Sequence, residues 1–282
     1  MKSMLANGVL AVAVLAAAVG IAAVLAVPGP RARAAAFVRN VLAIAGKEIR
    51  TIFYSPILYV VVVLFGAVNV YLFSWIATIL LQPNAPNESP LRIYFGENPF
   101  LWVLVSLFTP LITMRLFSEE KRTGTLEVLL TAPVSDGEVV LGKFLAGHVF
   151  FLFLWFPTLI FVAGTAFVSR VDFGSVAATY LGLALMGGMF TAIGLFASSL
   201  TRNQILAAIV GIVALLGLWI LCISRDMRPA LLDPFLRVAD FTSHVRDFSK
   251  GVVDTRQVVW YVSATAFGLF LTTKVLEARR WK

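Results

Sequence analysis

The part of this sequence best suited to bind a soluble partner is a charged run followed by a short apolar repeat. Four consecutive charged residues, Glu119 to Arg122, precede the segment Thr125–Leu130. In that segment three leucines have the i, i+3, i+4 spacing of one helical face, and Pro133 ends the pattern. A short amphipathic helix with charged flanks can dock in a groove of a partner, or it can rest on lipid headgroups. Both interpretations fit the spacing.

Residue types that support catalysis or metal binding are sparse. The sequence contains no G-x-x-x-x-G-K-[ST] loop for phosphates, no H-E-x-x-H zinc motif and no G-x-S-x-G nucleophile motif. Its single cysteine, Cys222, lies in an apolar run, and His148 and His244 are far apart in the sequence. We therefore expect no catalytic, cofactor-binding or metal-binding residue on this chain, and we do not expect an enzyme.

The composition is that of a membrane protein. Of 282 residues, 60% are hydrophobic and 13% are charged, and the mean hydropathy is +0.90; a soluble domain of this size does not need so much apolar surface. The net charge of +8 also suits nucleic acid, but long apolar runs favour basic loops on one side of a membrane. We expect lipids and no nucleic acid as partners.

Six apolar stretches are long enough to cross the roughly 30 Å hydrocarbon core as helices. The predicted spans are Pro56–Leu81, Pro99–Phe117, Phe144–Val168, Gly174–Leu200, Gln204–Ile223 and Gln257–Leu276. Pro56 and Pro99 suit the first helical turn, whereas Pro110 and Pro157 are expected to kink their spans. A capping box, Ser135 to Glu138, predicts a helix that runs into the third span.

The distribution of Lys and Arg predicts the orientation. The N-terminal segment, the second-to-third and fourth-to-fifth connections and the C-terminal tail together hold 14 basic residues, and the opposite side holds 8. The more basic side is expected to be cytoplasmic, which places the C-terminus in the cytoplasm of a multi-pass inner-membrane protein.

A seventh apolar run, Leu5–Val27, precedes these spans. It follows a Met-Lys start, and Ala32-Arg33-Ala34 is similar to a cleavage site. An extra span, a signal-like segment and an overlong start all remain open. The predicted organisation is an N-terminal hydrophobic segment with a basic linker at residues 1–37 and a transmembrane domain at residues 38–282.

Two further features predict how the helices pack: the connection Ser224–Thr255 and two stripes of small residues within the spans. Pro229, Pro234 and Gly251 break the connection into two short helical pieces, which cap the external mouth, contact a partner or lie on the headgroups. Small residues every four positions, as at Gly188 and Ala192, predict close helix contacts, within the chain or between copies.

The sequence around the charged run resembles the cytoplasmic loop of ABC-2 type permeases. The resemblance lies in Phe117-Ser-Glu-Glu-Lys-Arg-Thr-Gly-Thr-Leu-Glu-Val-Leu-Leu-Thr-Ala-Pro-Val134, followed by Leu141-Gly-Lys143. It is most similar to the gliding-motility and nitrous-oxide-accessory (GldF/NosY-like) subgroup, with further similarity at Ala45–Pro56 and Phe248–Arg256.

This resemblance implies an all-α integral membrane fold: a six-helix ABC-2 type permease bundle, here with the extra N-terminal hydrophobic segment. It implies a P-loop ABC ATPase subunit that binds ATP and Mg, and a second permease copy or paralogue that completes a dimer. It also implies a coupling helix at Thr123–Leu130 and an interfacial helix at Lys47–Tyr54, on which Ile49, Ile52 and Phe53 face lipid. The residues expected to contact the ATPase are Glu119, Glu120, Lys121, Arg122, Thr123, Leu126, Glu127, Leu129 and Leu130, and those of the interfacial helix are Lys47, Glu48, Ile49, Arg50 and Phe53.

The function predicted is that of the transmembrane subunit of an ATP-driven transporter, and three alternatives stay open. A self-contained secondary transporter normally needs ionisable groups at membrane depth, and the predicted span interiors contain essentially no Asp, Glu, Lys or Arg. An intramembrane enzyme needs a nucleophile matched with a base, and none is evident. A membrane scaffold within a larger complex is compatible with the sequence.

Overall fold

The computed structural model describes residues 31–80, 82, 90–125, 134–168, 172–223 and 233–280, and within these ranges the chain is helical and contains no strand. The helices are α1 Arg31–Tyr54, α2 Pro56–Leu80, α3 Pro90–Arg92, α4 Pro99–Thr113, α5 Arg115–Thr123, α6 Asp136–Trp155, α7 Leu159–Val168, α8 Phe173–Leu200, α9 Gln204–Ile223, α10 Asp233–Val238, α11 Phe241–Ser249 and α12 Thr255–Arg280. Two shorter turns are the π-helical Ile93–Glu97 and the 3-10 turn Phe156–Thr158.

Six helical segments in the described ranges are long and apolar enough to cross a membrane. They are Pro56–Leu80, Pro99–Thr123, Asp136–Phe167, Phe173–Leu200, Gln204–Cys222 and Thr255–Ala278. The all-α, six-span fold predicted from the sequence is confirmed. The second and third spans extend further toward the basic end than predicted, so Arg115, Lys121, Arg122 and Lys143 belong to helices and not to a loop.

The second and third spans are each interrupted, and a proline lies near each interruption. Pro110 lies inside α4, which ends three residues later at Thr113, and the chain continues as α5 after a turn at Met114. At Pro157 the chain passes through the 3-10 turn between α6 and α7. Proline has no N–H and its ring crowds the preceding turn, which accounts for the 3-10 turn at Pro157, whereas the kink expected at Pro110 stays a prediction.

Helix α8 lies at the centre of the bundle and is buried along most of its length. Because its glycines have no side chains, neighbouring helices can approach α8 closely. A Cβ at Gly187 would lie 2.1 Å from the Phe151 ring of α6, and one at Gly194 would lie 2.2 Å from the Thr113 hydroxyl of α4. Gly188 and Ala192 pack against Thr265 and Gly268 of α12. The small-residue stripe of the fourth span is therefore used inside the chain.

The end of the bundle opposite Lys143 is closed by α11 and the Ile93–Glu97 turn. Phe241 and Phe248 of α11 are fully buried, and Phe248 occupies the space beside Gly182 near the start of α8. The Tyr94 hydroxyl donates to the Asn69 side chain of α2. Two short helices form in the predicted connection, as expected. The contacts of α11 favour the interpretation as a cap over that of a loop resting on headgroups.

Helix α1 lies against α6 and runs continuously across the boundary predicted at residue 37. The apolar run Leu5–Val27 and the rest of residues 1–30 lie outside the described residues. A Cβ at Gly142 of α6 would lie 2.7 Å from Ile44 Cγ2 and 3.1 Å from the Val41 carbonyl oxygen. The missing side chain at this glycine is what lets α1 approach α6 so closely.

Candidate functional site

The charged run lies on α5, and a serine of the central helix holds that helix in place. The turn at Met114 leaves the first N–H groups of α5 without partners inside the helix. The Ser198 hydroxyl of α8 accepts from the Phe117 and Ser118 N–H groups, both at 3.1 Å, and donates to the Met114 carbonyl at 2.8 Å. Gly124, with φ +75°, adopts the left-handed conformation that ends α5.

The four charged residues of α5 point in different directions. Arg122 is exposed, and Glu119 is partly exposed beside a cavity. Lys121 is buried and donates from Nζ to the Ser199 carbonyl of α8. Glu120 bonds to Lys143 inside the chain. Contact of all four residues with an ATPase stays a prediction, but Glu120 and Lys121 are already engaged within the chain. Arg122 and Thr123 are exposed, and Glu119 and Glu120 are partly exposed.

The leucine-rich half of the predicted coupling helix, with Leu126, Glu127, Leu129 and Leu130, lies outside the described residues. Thr123 is the last residue of α5, so the predicted helix does not start there as a separate element. Thr125, which follows the Gly124 break, is helical and exposed. The described chain resumes at Val134 and enters α6 through the predicted capping box. In that box the Ser135 hydroxyl accepts from the Glu138 N–H at 3.3 Å, and the Ser135 N–H donates to the Glu138 carboxylate at 2.7 Å.

A buried cluster of three charges closes the base of this loop. Lys143 of α6 is 0% exposed, and its Nζ lies 3.0 Å from Glu48 Oε1 of α1 and 2.9 Å from Glu120 Oε1 of α5. The same Nζ lies 5.3 Å from the centroid of the Phe117 ring. We call Glu48, Glu120 and Lys143 the ion triad. It joins the helix before the loop, the helix after it and the N-terminal helix at one point.

The face of α1 that was predicted to meet lipid packs against protein. Ile49 is 2% exposed and contacts Ala146 and Val149 of α6. The Phe53 ring lies 5.2 Å from that of Phe153. Ile49 therefore packs against α6 and does not face lipid as predicted, whereas Ile52 and Phe53 are only partly buried, and their contact with lipid stays a prediction. Lys47 and Arg50 remain exposed, and Asn40 adds a hydrogen bond to Glu138 at 3.2 Å.

The sequence carried a signal that identifies Lys143 as a helical residue. The capping box fixes the start of α6 at Asp136, so Lys143 is the eighth residue of the helix and not part of the preceding loop. At 1.5 Å per residue it lies about 10 Å from the helix start. A lysine at that depth, on the face toward neighbouring helices, requires a carboxylate partner.

The part of the chain that the structure describes shows neither a P-loop nor a cluster of side chains placed to hold a metal ion. Gly137 to Lys143 has the G-x-x-x-x-G-K spacing, but Phe144 follows where a P-loop needs Ser or Thr, and the segment is α-helical. No group of three or more His, Cys, Asp or Glu side chains in the described ranges is placed to hold a metal ion.

The ion triad is suited to transmit force. Its charges are removed from water, so separating them requires burying uncompensated charge, which is costly. Displacement of the loop between α5 and α6 must therefore carry α1 and α6 with it or break the triad.

Comparison with known proteins gives one family. A family model described as ABC-2 family transporter protein matches residues 42–272, which include most of α1 and nearly all of the six candidate spans. No curated protein matches the chain.

Proposed function

Because the chain belongs to the ABC-2 family of transporter proteins, we propose that it is the permease subunit of an ATP-driven transporter whose ATPase is a separate polypeptide. The observation that carries the proposal is the family match over six apolar helices in a sequence without a P-loop. In this arrangement ATP and Mg bind to the partner, and this chain supplies the pathway through the membrane.

The finer assignments belong to the same proposal. The motif from Phe117 to Lys143 supports membership of the GldF/NosY-like subgroup. The excess of basic residues at the end that carries α5 supports an inner-membrane orientation with that end and the C-terminus in the cytoplasm. Two copies, or this chain and a paralogue, would pair to enclose the pathway.

Coupling runs from the partner through the loop between α5 and α6. The apolar face Leu126–Leu129–Leu130 docks in a groove of the ATPase, with Arg122 and Glu119 at its edge. Closure of the ATPase dimer on ATP displaces the loop, and the ion triad passes the displacement to α1 and α6. Transport requires that the substrate has different affinities for the inward- and outward-facing states. With equal affinities, a change of state driven by ATP binding could not move the substrate in one direction.

Co-purification tests this proposal. The paired change Leu126→Asp and Leu129→Asp is expected to remove most of the ATPase that purifies with the chain in mild detergent, because two leucines of the proposed docking face are replaced by charge. The matched control is Val252→Asp with Val253→Asp, two exposed valines after α11 at the opposite end. Undiminished ATPase in the first variant, or none with the wild-type chain, contradicts the proposal.

Nucleotide dependence separates the permease from a self-contained carrier. Lys143 lies in the helix that forms the third candidate span, but both of its carboxylate partners are present and it lies near the basic end. Transport by reconstituted vesicles is expected to require both the ATPase and hydrolysable ATP. Transport by the chain alone, driven by an ion gradient, would show a secondary transporter.

A further inference from the structure

A cavity of about 230 Å³ opens at the basic end of the bundle, where α1 ends and α2 begins. Its walls come from these two helices, from the α4–α5 junction and from Phe150 of α6. The volume is below the roughly 300–1,000 Å³ of sites that enclose a drug-sized molecule. It suits the headgroup of an amphiphile whose tails remain in the bilayer.

The polar wall of the cavity carries one cation and one anion that form no ion pair with any other described residue. Arg115 Nη1 donates to Ser55 Oγ at 3.0 Å, while its buried Nε has no hydrogen-bond partner among the described residues. Glu119 follows one turn later, about 6 Å along the helix axis, and also forms no salt bridge there. Glu48 lines the cavity too, but Lys143 neutralises it.

The opposite wall is apolar and lies where the first span begins. Leu58 and Val61 of α2 and Ile112 of α4 line it, and Ile57 is 44% exposed at its edge. Ser55 stands immediately before the span that starts at Pro56. The cavity is therefore at the depth of lipid headgroups, with its apolar wall on the hydrocarbon side.

We propose that this cavity binds a zwitterionic phospholipid with a primary ammonium headgroup, such as phosphatidylethanolamine, from the leaflet at the basic end. Its phosphate accepts hydrogen bonds from the Arg115 guanidinium, whose planar donors match phosphate geometry. Its ammonium donates to Glu119, and the first acyl carbons contact Leu58 and Val61. This site goes beyond the permease role and needs neither the ATPase nor ATP.

The chemistry of the headgroups predicts which phospholipids the cavity prefers. Phosphatidylglycerol brings the phosphate but no cation for Glu119, so the carboxylate is left facing an anionic lipid. Phosphatidylcholine brings a quaternary ammonium with no N–H to donate. The site should therefore prefer phosphatidylethanolamine to both, with Arg115 required for all three lipids and Glu119 for the preference.

Native mass spectrometry of the full-length chain, with any subunits that co-purify, measures this directly. Delipidated protein is titrated with palmitoyl-oleoyl phosphatidylethanolamine, phosphatidylglycerol and phosphatidylcholine. Arg115→Gln is expected to weaken binding of the first lipid about tenfold or more, since a charge-assisted hydrogen bond is lost. Glu119→Gln is expected to abolish the preference over phosphatidylglycerol. Arg202→Gln, exposed just after α8 at the same end of the bundle and outside the cavity, is the matched control and is expected to change neither value.

Equal binding of the three lipids by the wild-type chain overturns the proposal, as does undiminished binding by Arg115→Gln. A preference for phosphatidylglycerol that survives Glu119→Gln identifies an ordinary anionic-lipid site and overturns it as well. If Arg115→Gln does not fold, Arg115→Lys replaces it. That variant keeps the charge without the forked donors and is expected to bind phosphatidylethanolamine more weakly than wild type.

Discussion

Lys143 is a buried cation held by two carboxylates from different helices, and its truncation should be among the most damaging single changes in the chain. Lys143→Ala leaves Glu48 and Glu120 facing each other, with only the exposed Lys47 ammonium, 3.9 Å from each carboxylate, to offset their charge. Removing one partner from a buried ion pair costs about 3–5 kcal/mol. We expect a loss of this order in the free energy of unfolding, measured by denaturant titration in detergent.

Lys47 provides a matched control for that experiment. Its Nζ lies 3.9 Å from both Glu48 Oε1 and Glu120 Oε1, but its side chain is 65% exposed. Exposed ion pairs contribute about 0–1 kcal/mol, so Lys47→Ala should have little effect. The triple change Lys143→Met, Glu48→Gln and Glu120→Gln removes all three charges and should recover much of the stability. Equal effects of the two alanine substitutions would show that the ion triad is not the stabilising element.

His244 of α11 makes the opposite end of the molecule sensitive to pH. Burial lowers the pKa of His244 below its ordinary value of 6.5, although Asp240, Asp247 and Asp254 act against this shift. The folded chain therefore favours the neutral imidazole, and the unfolded chain takes up the proton first as pH falls. The stability contribution is complete above about pH 6.5 and is lost as pH falls below it toward the lowered pKa.

The measurement compares thermal unfolding midpoints of wild type and His244→Phe between about pH 7.5 and pH 5.5. Phenylalanine keeps a flat ring against Tyr261, whose ring centroid lies 5.5 Å from that of His244, but it cannot titrate. The wild-type midpoint should fall more steeply toward low pH than that of the variant. Parallel curves would mean that His244 does not control the pH dependence.

At the scale of elements, the contact between α1 and α6 depends on one missing side chain. In Gly142→Ala the new Cβ would lie within 3 Å of Ile44 in α1. Overpacking of this kind costs about 1–3 kcal/mol. We expect a lower free energy of unfolding and faster tryptic cleavage after Arg39, since cleavage within a helix requires local opening.

Gly137→Ala is the matched control in the same helix. A Cβ at Gly137 has no atom within 4 Å, and alanine is the better helix former by about 1 kcal/mol or less. This variant should be as stable as wild type or slightly more so, with α1 cleaved at the wild-type rate. Equal cleavage rates in the two variants would contradict the role of Gly142.

Helix starts and breaks were the elements that the sequence predicted best, because a single residue determines each of them. Pro56, Pro99, Pro157 and the Ser135 capping box act where expected, whereas α4 continues through Pro110. The facing of α1 was not predictable in the same way. A helix that lies on the membrane surface and a helix that packs against protein have the same apolar period. Packing of α1 against α6 depends on Gly142, which lies about 95 positions away in the sequence.

The directions of the charges on α5 were not predictable from the run, for a related reason. Four consecutive residues of an α-helix are separated by about 100° each, so Glu119, Glu120, Lys121 and Arg122 point to nearly all sides of the helix. The composition of the run places it at the basic end of the bundle. Which residues turn inward depends on Lys143 and Ser199, and those come from helices elsewhere in the sequence.

At the scale of the whole molecule, α8 connects two ends with different properties. Ser199, near its C-terminal end, contacts Lys121 of α5, whereas Ser175, near its N-terminal end, lies beside Gly251 after α11. About 25 helical residues, or roughly 36 Å, separate these points. The charge bias of 14 basic residues against 8 predicts that the α5 end is cytoplasmic.

Cysteine labelling tests that orientation. The single native cysteine, Cys222, is buried, and Cys222→Ser provides a background without thiols. Into it are placed Arg122→Cys or Lys250→Cys, both at exposed positions on opposite ends of α8. A membrane-impermeant maleimide should label Lys250→Cys on intact spheroplasts and Arg122→Cys only on inverted vesicles. The reverse pattern would place the loop between α5 and α6 outside the cell, where no ATPase can reach it, and coupling through α5 would have to be abandoned.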